Sequence, residues 1–284
     1  MAQIINGKET SKKIREQIRL ETEKMQKETG IRPGLAVILV GDDPASAIYV
    51  RNKKKACDEV GFLSKEFVLP ATAKEEDLLA LIDQLNADPE IHGILVQLPV
   101  PKHMDAKKVI ARIDPKKDVD AFSFENVGRI VTGDFDFVPC TPAGIMELLA
   151  EYRISPEGKR AVVIGRSNIV GKPMALLLLH QNATVTVCHS RTENLAEICR
   201  EADILVAAVG KAKFVTEDMV KEGAVVIDVG MNRDENGLCG DVDFAAVEKK
   251  ASYITPVPGG VGPMTITLLM KNTLTSAQKA GKGE

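Results

Sequence analysis

From residue 11 to residue 29, apolar residues recur at three- and four-residue spacing among Lys, Glu and Arg, and Gly30 follows. That period predicts an amphipathic helix with a glycine cap. The pattern then changes to GLAVILVG, residues 34–41, a continuous apolar run bounded by glycines. A run of this kind suits a strand buried on both faces of a parallel sheet. Asp42, Asp43 and Pro44 signal a helix start, and the helical spacing of ASAIYVRNKKKACDEVG continues to Gly61. A strand near 65–69, a helix near 74–86 and a second buried strand, HGILVQLP at 92–99, extend the alternation. Strand, helix and strand in this order predict a parallel α/β domain.

Residues 113–140 hold no sustained period and are rich in Asp, Gly and Pro, so they read as a long connection. After a helix near 142–152 a second alternation begins. Strands are expected at 161–165, 184–188, 203–210 and 224–230, with helices at about 171–181, 193–201 and 216–221. Four βα repeats make a Rossmann-like sheet. The pattern therefore predicts two α/β domains, residues 1–138 and residues 139–263, with a cleft between them, and a last helix from about residue 264.

The length of 284 residues suits two domains, each able to bury its own core. Composition narrows the possible partners. Eight Phe, three Tyr and no Trp supply little for an aromatic platform that stacks successive bases. A net charge of −3 gives no general attraction to nucleic acid or to an anionic membrane, so any bound anion must be held locally. Cys57, Cys140, Cys188, Cys199 and Cys239 contain no CxxC pair, which argues against a zinc site and for reduced thiols in a cytoplasmic setting. No stretch approaches the ~20 apolar residues that span a bilayer, and the first residues do not read as a secretory signal.

Two segments carry candidate chemistry. The strand at 161–165 leads through RSNIVG into a helix, where backbone N–H groups and a helix N-terminus can receive a pyrophosphate. Gly165 and Gly171 are separated by five residues, which is not GxGxxG, and glycines here equally suit a tight turn. The following strand ends in CHSRT without the carboxylate that an NAD ribose needs. Ser190, Arg191 and Arg166 could instead take up a 2′-phosphate, which favours NADP if the loop binds a dinucleotide; surface arginines are the plainer alternative. His189 reads as a packed neutral histidine rather than a ligand. In the first domain, Tyr49 and Lys53 are four residues apart and share a helix face that Ala56, Cys57 and Val60 continue. A lysine on an apolar stripe has its charged form disfavoured and becomes suitable for acid–base work. A solvated basic face over residues 51–55 explains the same letters.

YVRNKKKACDEVGF, GILVQLPVP, KDVDAF, VPCTPAG, VIGRSNIVGKP, ATVTVCHSRT, DILVAAVGK, VVIDVGMN, GDVDF and PVPGGVGPMT occur in this order across nearly the whole chain. Together they closely resemble the bifunctional methylenetetrahydrofolate dehydrogenase/methenyltetrahydrofolate cyclohydrolase family. The resemblance implies NADP-dependent oxidation of 5,10-methylenetetrahydrofolate, hydrolysis of the methenyl product to 10-formyltetrahydrofolate, and a homodimer. By position, Lys53 resembles the family's catalytic lysine, Tyr49 its folate-contacting aromatic, Gln97 the amide that orients the lysine, and Asp120 the carboxylate that pairs with the pterin edge. Val50, Leu98 and Pro99 lie beside them in the same motifs and are expected at the substrate. Pro258, Gly259, Gly260 and Val261 match a loop closing over folate. Gly165, Arg166, Ser167, Ser190, Arg191 and Met231 match the cofactor site, and no metal is implied. The family also folds its final helix, here 264–284, back onto the first domain.

This chain departs from the family at two places. DVDGFH is replaced by Asp118 to Ser123, DVDAFS, so an imidazole is missing near the pterin carboxylate, and GxP becomes Gly210, Lys211, Ala212. Neither departure removes a proposed catalytic group. The alternatives are a relative that retains one of the two activities, and a catalytically silent folate or nucleotide sensor.

Overall fold

In the computed structural model, which describes residues 1–235 and 237–283, the buried apolar runs become parallel strands and the helical-period segments become helices. The chain separates into two units. One comprises Lys13–Cys140 with Ile266–Glu284, the other Met1–Lys12 with Thr141–Thr265. Two helices, Gly7–Thr29 and Val261–Lys282, contribute residues to both.

The first unit is built on a three-stranded parallel sheet in which Gly34–Val40 lies between Leu63–Leu69 and Gly93–Val96. Every residue of the central strand is buried, as a strand covered on both faces requires. Ile38, Leu78, Ile82, Ile94 and Val109 fill one side of the sheet. The helix Pro44–Val60 starts where Asp43 accepts a hydrogen bond from Ser46 N–H and ends at Gly61, whose φ of 82° is the left-handed conformation glycine tolerates. The segment 113–140 is not an unstructured connection. It contains the helix Phe124–Thr132, capped by Ser123 and closed by left-handed Gly133. Nine residues make too short a period to stand out, and Phe124 and Val131 are exposed rather than packed inward. From Ile266 onward the last helix belongs to this unit. Asn272 Nδ2 donates to Val119 O and Val138 O, and Ser276 Oγ donates to His92 O and Lys116 O.

The second unit holds a six-stranded sheet in the order Thr184–Cys188, Arg160–Ile164, Ile204–Ala207, Val225–Asp228, Tyr253–Ile254, Gln3–Ile4, with every pairing parallel. Val162, Leu205, Val226, Val247 and Ile254 belong to its core. Residues 1–12, which the sequence pattern groups with the first domain, lie here, because two residues, Gln3 and Ile4, add an edge strand to Tyr253–Ile254. So short a pairing carries no alternation to read. The expected helix near 216–221 is a single 3₁₀ turn, Glu217–Met219, and an unexpected antiparallel ribbon pairs Asn232–Asp234 with Gly237–Cys239. From Arg160–Ile164 the chain crosses to one neighbouring strand and returns to the other. Beyond the carboxyl ends of Arg160–Ile164 and Ile204–Ala207 lies the switch-point crevice where open α/β sheets bind ligands.

Candidate active site

Lys53 stands on the helix Pro44–Val60 in a stripe with Val50, Ala56, Cys57 and Val60, all buried, whereas Lys54 and Lys55 face solvent. The apolar-stripe alternative therefore holds against the solvated basic face. Only 9% of Lys53 is exposed, and its Nζ donates to Gln97 Oε1 at 2.7 Å. Gln97 is fixed from two sides: its backbone N–H donates to Ile38 O, and its Nε2 donates to Leu98 O. Burial lowers the lysine pKa, opposed by the negative charge of Asp120. Asp120 in turn is pushed up to about 6 by its enclosed position, with Lys53 pulling the other way and Asp118 adding to the rise. The pair is thus brought toward neutrality from both directions, the condition under which protons move easily near neutral pH. Tyr49, one turn before Lys53, is 38% exposed, and Pro99 is exposed while Leu98 is half-buried.

Three residues support this cluster that sequence reasoning did not assign to it. Asp118 is buried, and its Oδ2 accepts from Ser123 N–H and Asn126 Nδ2, fixing the turn that carries Asp120. The Cys140 thiol lies 3.6 Å from Val119 O and 4.0 Å from Asp120 Oδ1; burial pushes its pKa well up, so it stays a neutral donor. Asn272 donates to Val119 O next door. DVD signals the first of these only in hindsight, because nothing in the letters says which aspartate faces inward, and Asn272 has no local signal at all. At the family's histidine position, Ser123 Oγ accepts from Asn126 N–H and caps the helix Phe124–Thr132. A cavity of about 870 Å³ lies at the opposite, amino-terminal end of this sheet, lined by residues including Leu63, Ile91, His92, Phe137 and Lys279; no expected site residue lines it.

The second unit brings the other expected residues together in two places. Gly165 has φ +130°, and a Cβ there would meet Ala208 O at 2.3 Å; a Cβ on Gly171 would meet Gly165 O at 2.2 Å. Both glycines are needed for the turn to pass between the strand Ile204–Ala207 and the helix Gly171–His180. Ser167 Oγ accepts from Val170 N–H and Gly171 N–H at the start of that helix. Arg166, Ser190 and Arg191 are exposed near the carboxyl ends of their strands. His189 Nδ1 accepts from Arg191 N–H, so this half-buried histidine holds the turn. Met231 is exposed after the strand Val225–Asp228. A close-approach glycine turn, a helix N-terminus and two guanidiniums at one sheet edge fit a dinucleotide with an added phosphate. In the loop expected over folate, Gly259 O accepts from Lys8 N–H, and a Cβ on Gly7 would meet Gly260 O at 1.8 Å, so the loop lies directly on the start of the helix Gly7–Thr29.

A dinucleotide-type sheet in one unit, and in the other a buried lysine held by an amide beside a titrating carboxylate, define a two-domain enzyme joining redox to acid–base chemistry. Residues 5–120 match the catalytic domain, and residues 139–281 the NAD(P)-binding domain, of the tetrahydrofolate dehydrogenase/cyclohydrolase family. The chain belongs to that family. It is 60% identical to the bifunctional protein FolD of Moorella thermoacetica, over 98% of this chain and 99% of that one. Among solved structures it is similar to the bifunctional FolD enzyme of Campylobacter jejuni, with 49% identity, a TM-score of 0.96, and 99% and 100% of the two chains covered. It is also similar to the Trypanosoma brucei enzyme complexed with NADP cofactor and inhibitor, with 40% identity, a TM-score of 0.94 and 98% of each chain covered.

Proposed function

We propose that the chain performs both reactions of its family on one tetrahydrofolate-borne carbon, with Lys53 as the proton-transfer group and NADP⁺ as the hydride acceptor. NADP⁺, when bound, takes a hydride from the methylene carbon of 5,10-methylenetetrahydrofolate, leaving the 5,10-methenyl cation. Hydrolysis follows. Water adds to the methenyl carbon and loses one proton to give a neutral carbinolamine. The bond from that carbon to N5 then breaks as N5 is protonated, and the remaining hydroxyl proton is released to solvent, giving neutral 10-formyltetrahydrofolate. Lys53 as the neutral amine takes the proton from water and returns one to N5; burial favours that neutral form. Gln97 holds Nζ in place without adding charge. Asp120 as the carboxylate accepts hydrogen bonds from the pterin edge, Tyr49 stacks on the aminobenzoyl ring, and Val50, Leu98, Pro99 and Pro258–Val261 line the folate. Gly165, Arg166, Ser167, Ser190, Arg191 and Met231 hold NADP, with the arginines and Ser190 on the 2′-phosphate.

The observation that carries this reading is the 2.7 Å contact between buried Lys53 Nζ and Gln97 Oε1. Lys53→Ala should lower cyclohydrolase turnover by about 10²- to 10⁴-fold while leaving NADPH formation from the methylene substrate measurable. Full retention of hydrolysis would remove Lys53 from this role. The protein acts as a homodimer in the cytoplasm, and light scattering of the purified chain checks its oligomeric state. No described helix is long and apolar enough to cross a membrane.

A further inference from the structure

The motifs VVIDVGMN and GDVDF meet in the second unit through two buried aspartates. Asp228 ends the strand Val225–Asp228. Its Oδ1 accepts from Gly230 N–H and Asp241 N–H and its Oδ2 from Val242 N–H, each at 2.9 Å. Asp241, fully buried, is thereby placed where its own carboxylate is saturated. Oδ2 accepts from Val209 N–H at 2.6 Å and Gly210 N–H at 2.9 Å. Oδ1 accepts from Lys211 N–H at 2.9 Å and Asn232 Nδ2 at 2.8 Å. Two glycines leave room for these contacts: a Cβ on Gly240 would meet Asp228 Oδ2 at 1.8 Å, and one on Gly230 would meet Asp241 Oδ1 at 2.3 Å.

The location gives this arrangement a functional meaning. Residues 209–211 leave the carboxyl end of the strand Ile204–Ala207, one of the two strands at the switch point, and follow Ala208, against which Gly165 packs. Asn232 follows Met231 beyond the next strand. One carboxylate therefore ties together two turns on the ligand-binding edge of the sheet. Consecutive N–H groups of such a turn attract an anion, and here an internal carboxylate occupies them, which fixes the turn before any ligand arrives.

We infer that Asp241 is a positioning residue for hydride transfer: through the 209–211 and 230–232 turns it sets the geometry of the dinucleotide site and leaves the lysine chemistry alone. It rests on the placement of NADP at Gly165–Ser167 and Arg191. Asparagine in place of Asp241 keeps the volume but turns an NH₂ group toward N–H donors, so the turns must move, and small misplacements of reacting atoms cost rate steeply.

The test compares both activities in purified, full-length variants. Asp241→Asn should raise the KM for NADP⁺ and the NADPH dissociation constant by about tenfold, and lower dehydrogenase kcat, while cyclohydrolase kcat and the folate KM stay within about twofold. Asn232→Ala, which keeps the carboxylate and removes one donor, should shift NADP⁺ KM the same way by a smaller factor, and it serves if Asp241→Asn does not fold. Unchanged NADP⁺ parameters in the folded variant, or a parallel fall of both activities, would overturn the inference. Arg191→Ala is measured alongside. If it leaves NADP⁺ binding intact, the cofactor placement itself is wrong; if it weakens binding and the Asp241 and Asn232 variants do not, only the role of Asp241 falls.

Discussion

Lys53 Nζ donates to Gln97 Oε1 at 2.7 Å, so the one basic group turned into the apolar side of its helix is held by an acceptor that carries no charge. An amide fixes the amine without favouring the ammonium form, and burial is left free to depress the pKa. Replacing Gln97 with Glu keeps the acceptor and adds a negative charge beside Nζ, which must raise the lysine pKa. The pH profile of methenyltetrahydrofolate hydrolysis by Gln97→Glu should move to higher pH, with reduced turnover at neutrality. A profile superimposable on that of the unaltered protein would mean that Lys53 does not set it.

Asp120 makes a second pH effect, of known sign. Its folded pKa of about 6 lies above its ordinary value of 3.8, so between these pH values the folded state keeps a proton that the unfolded state has lost. Its contribution to stability is therefore complete below about pH 4 and is lost as pH rises through 6. Asp120→Asn should gain stability relative to the unaltered protein across that window, as followed by urea denaturation at a series of pH values. The same substitution should abolish the fall in folate KM expected as the carboxylate ionises between pH 5 and 7.

Arg191→Ala tests the choice between dinucleotides. A charge-assisted hydrogen bond to a phosphate contributes about 1.5–3 kcal/mol, so the KM for NADP⁺ should rise about tenfold or more, with that for NAD⁺ nearly unchanged. Steady-state dehydrogenase kinetics with each dinucleotide decide it. Equal effects on both would place Arg191 away from the 2′-phosphate.

Gly165→Ala should fail by steric overlap rather than by lost chemistry. The new Cβ would sit 2.3 Å from Ala208 O on a backbone with φ +130°, a combination that costs about 2 kcal/mol or more. A lower melting temperature together with weaker NADPH binding is expected, and NADPH fluorescence titration with thermal denaturation reads both. An undiminished melting temperature would show that the strand and turn can separate there at little cost.

Local chemistry was legible in the sequence wherever one element determined it. The helical stripe from Val50 to Val60 placed Lys53 on the buried side, and the glycine spacing marked the Gly165–Gly171 turn. Contacts made across the chain were not. The strand Gln3–Ile4 exists only because Tyr253–Ile254 offers an edge, and Asn272 reaches Val119 across more than a hundred residues. Ser123 shows a third kind of limit. Against the family it reads as a missing imidazole, yet locally it is a helix N-cap, a role that becomes visible only once the short helix Phe124–Thr132 is known to form.

The order in which the units are completed has a consequence for biosynthesis. The six-stranded unit has its last strand once residue 254 is made, and its last residues by 265. The unit that holds Lys53 has all three of its strands before residue 97, but it still needs Asn272 and Ser276 to engage the carbonyls of Val119, Val138, His92 and Lys116. On the ribosome, then, the unit whose sheet is complete first is finished last. A nascent chain halted near residue 265 would carry a complete dinucleotide sheet beside a lysine-bearing unit whose loops have not yet been fastened.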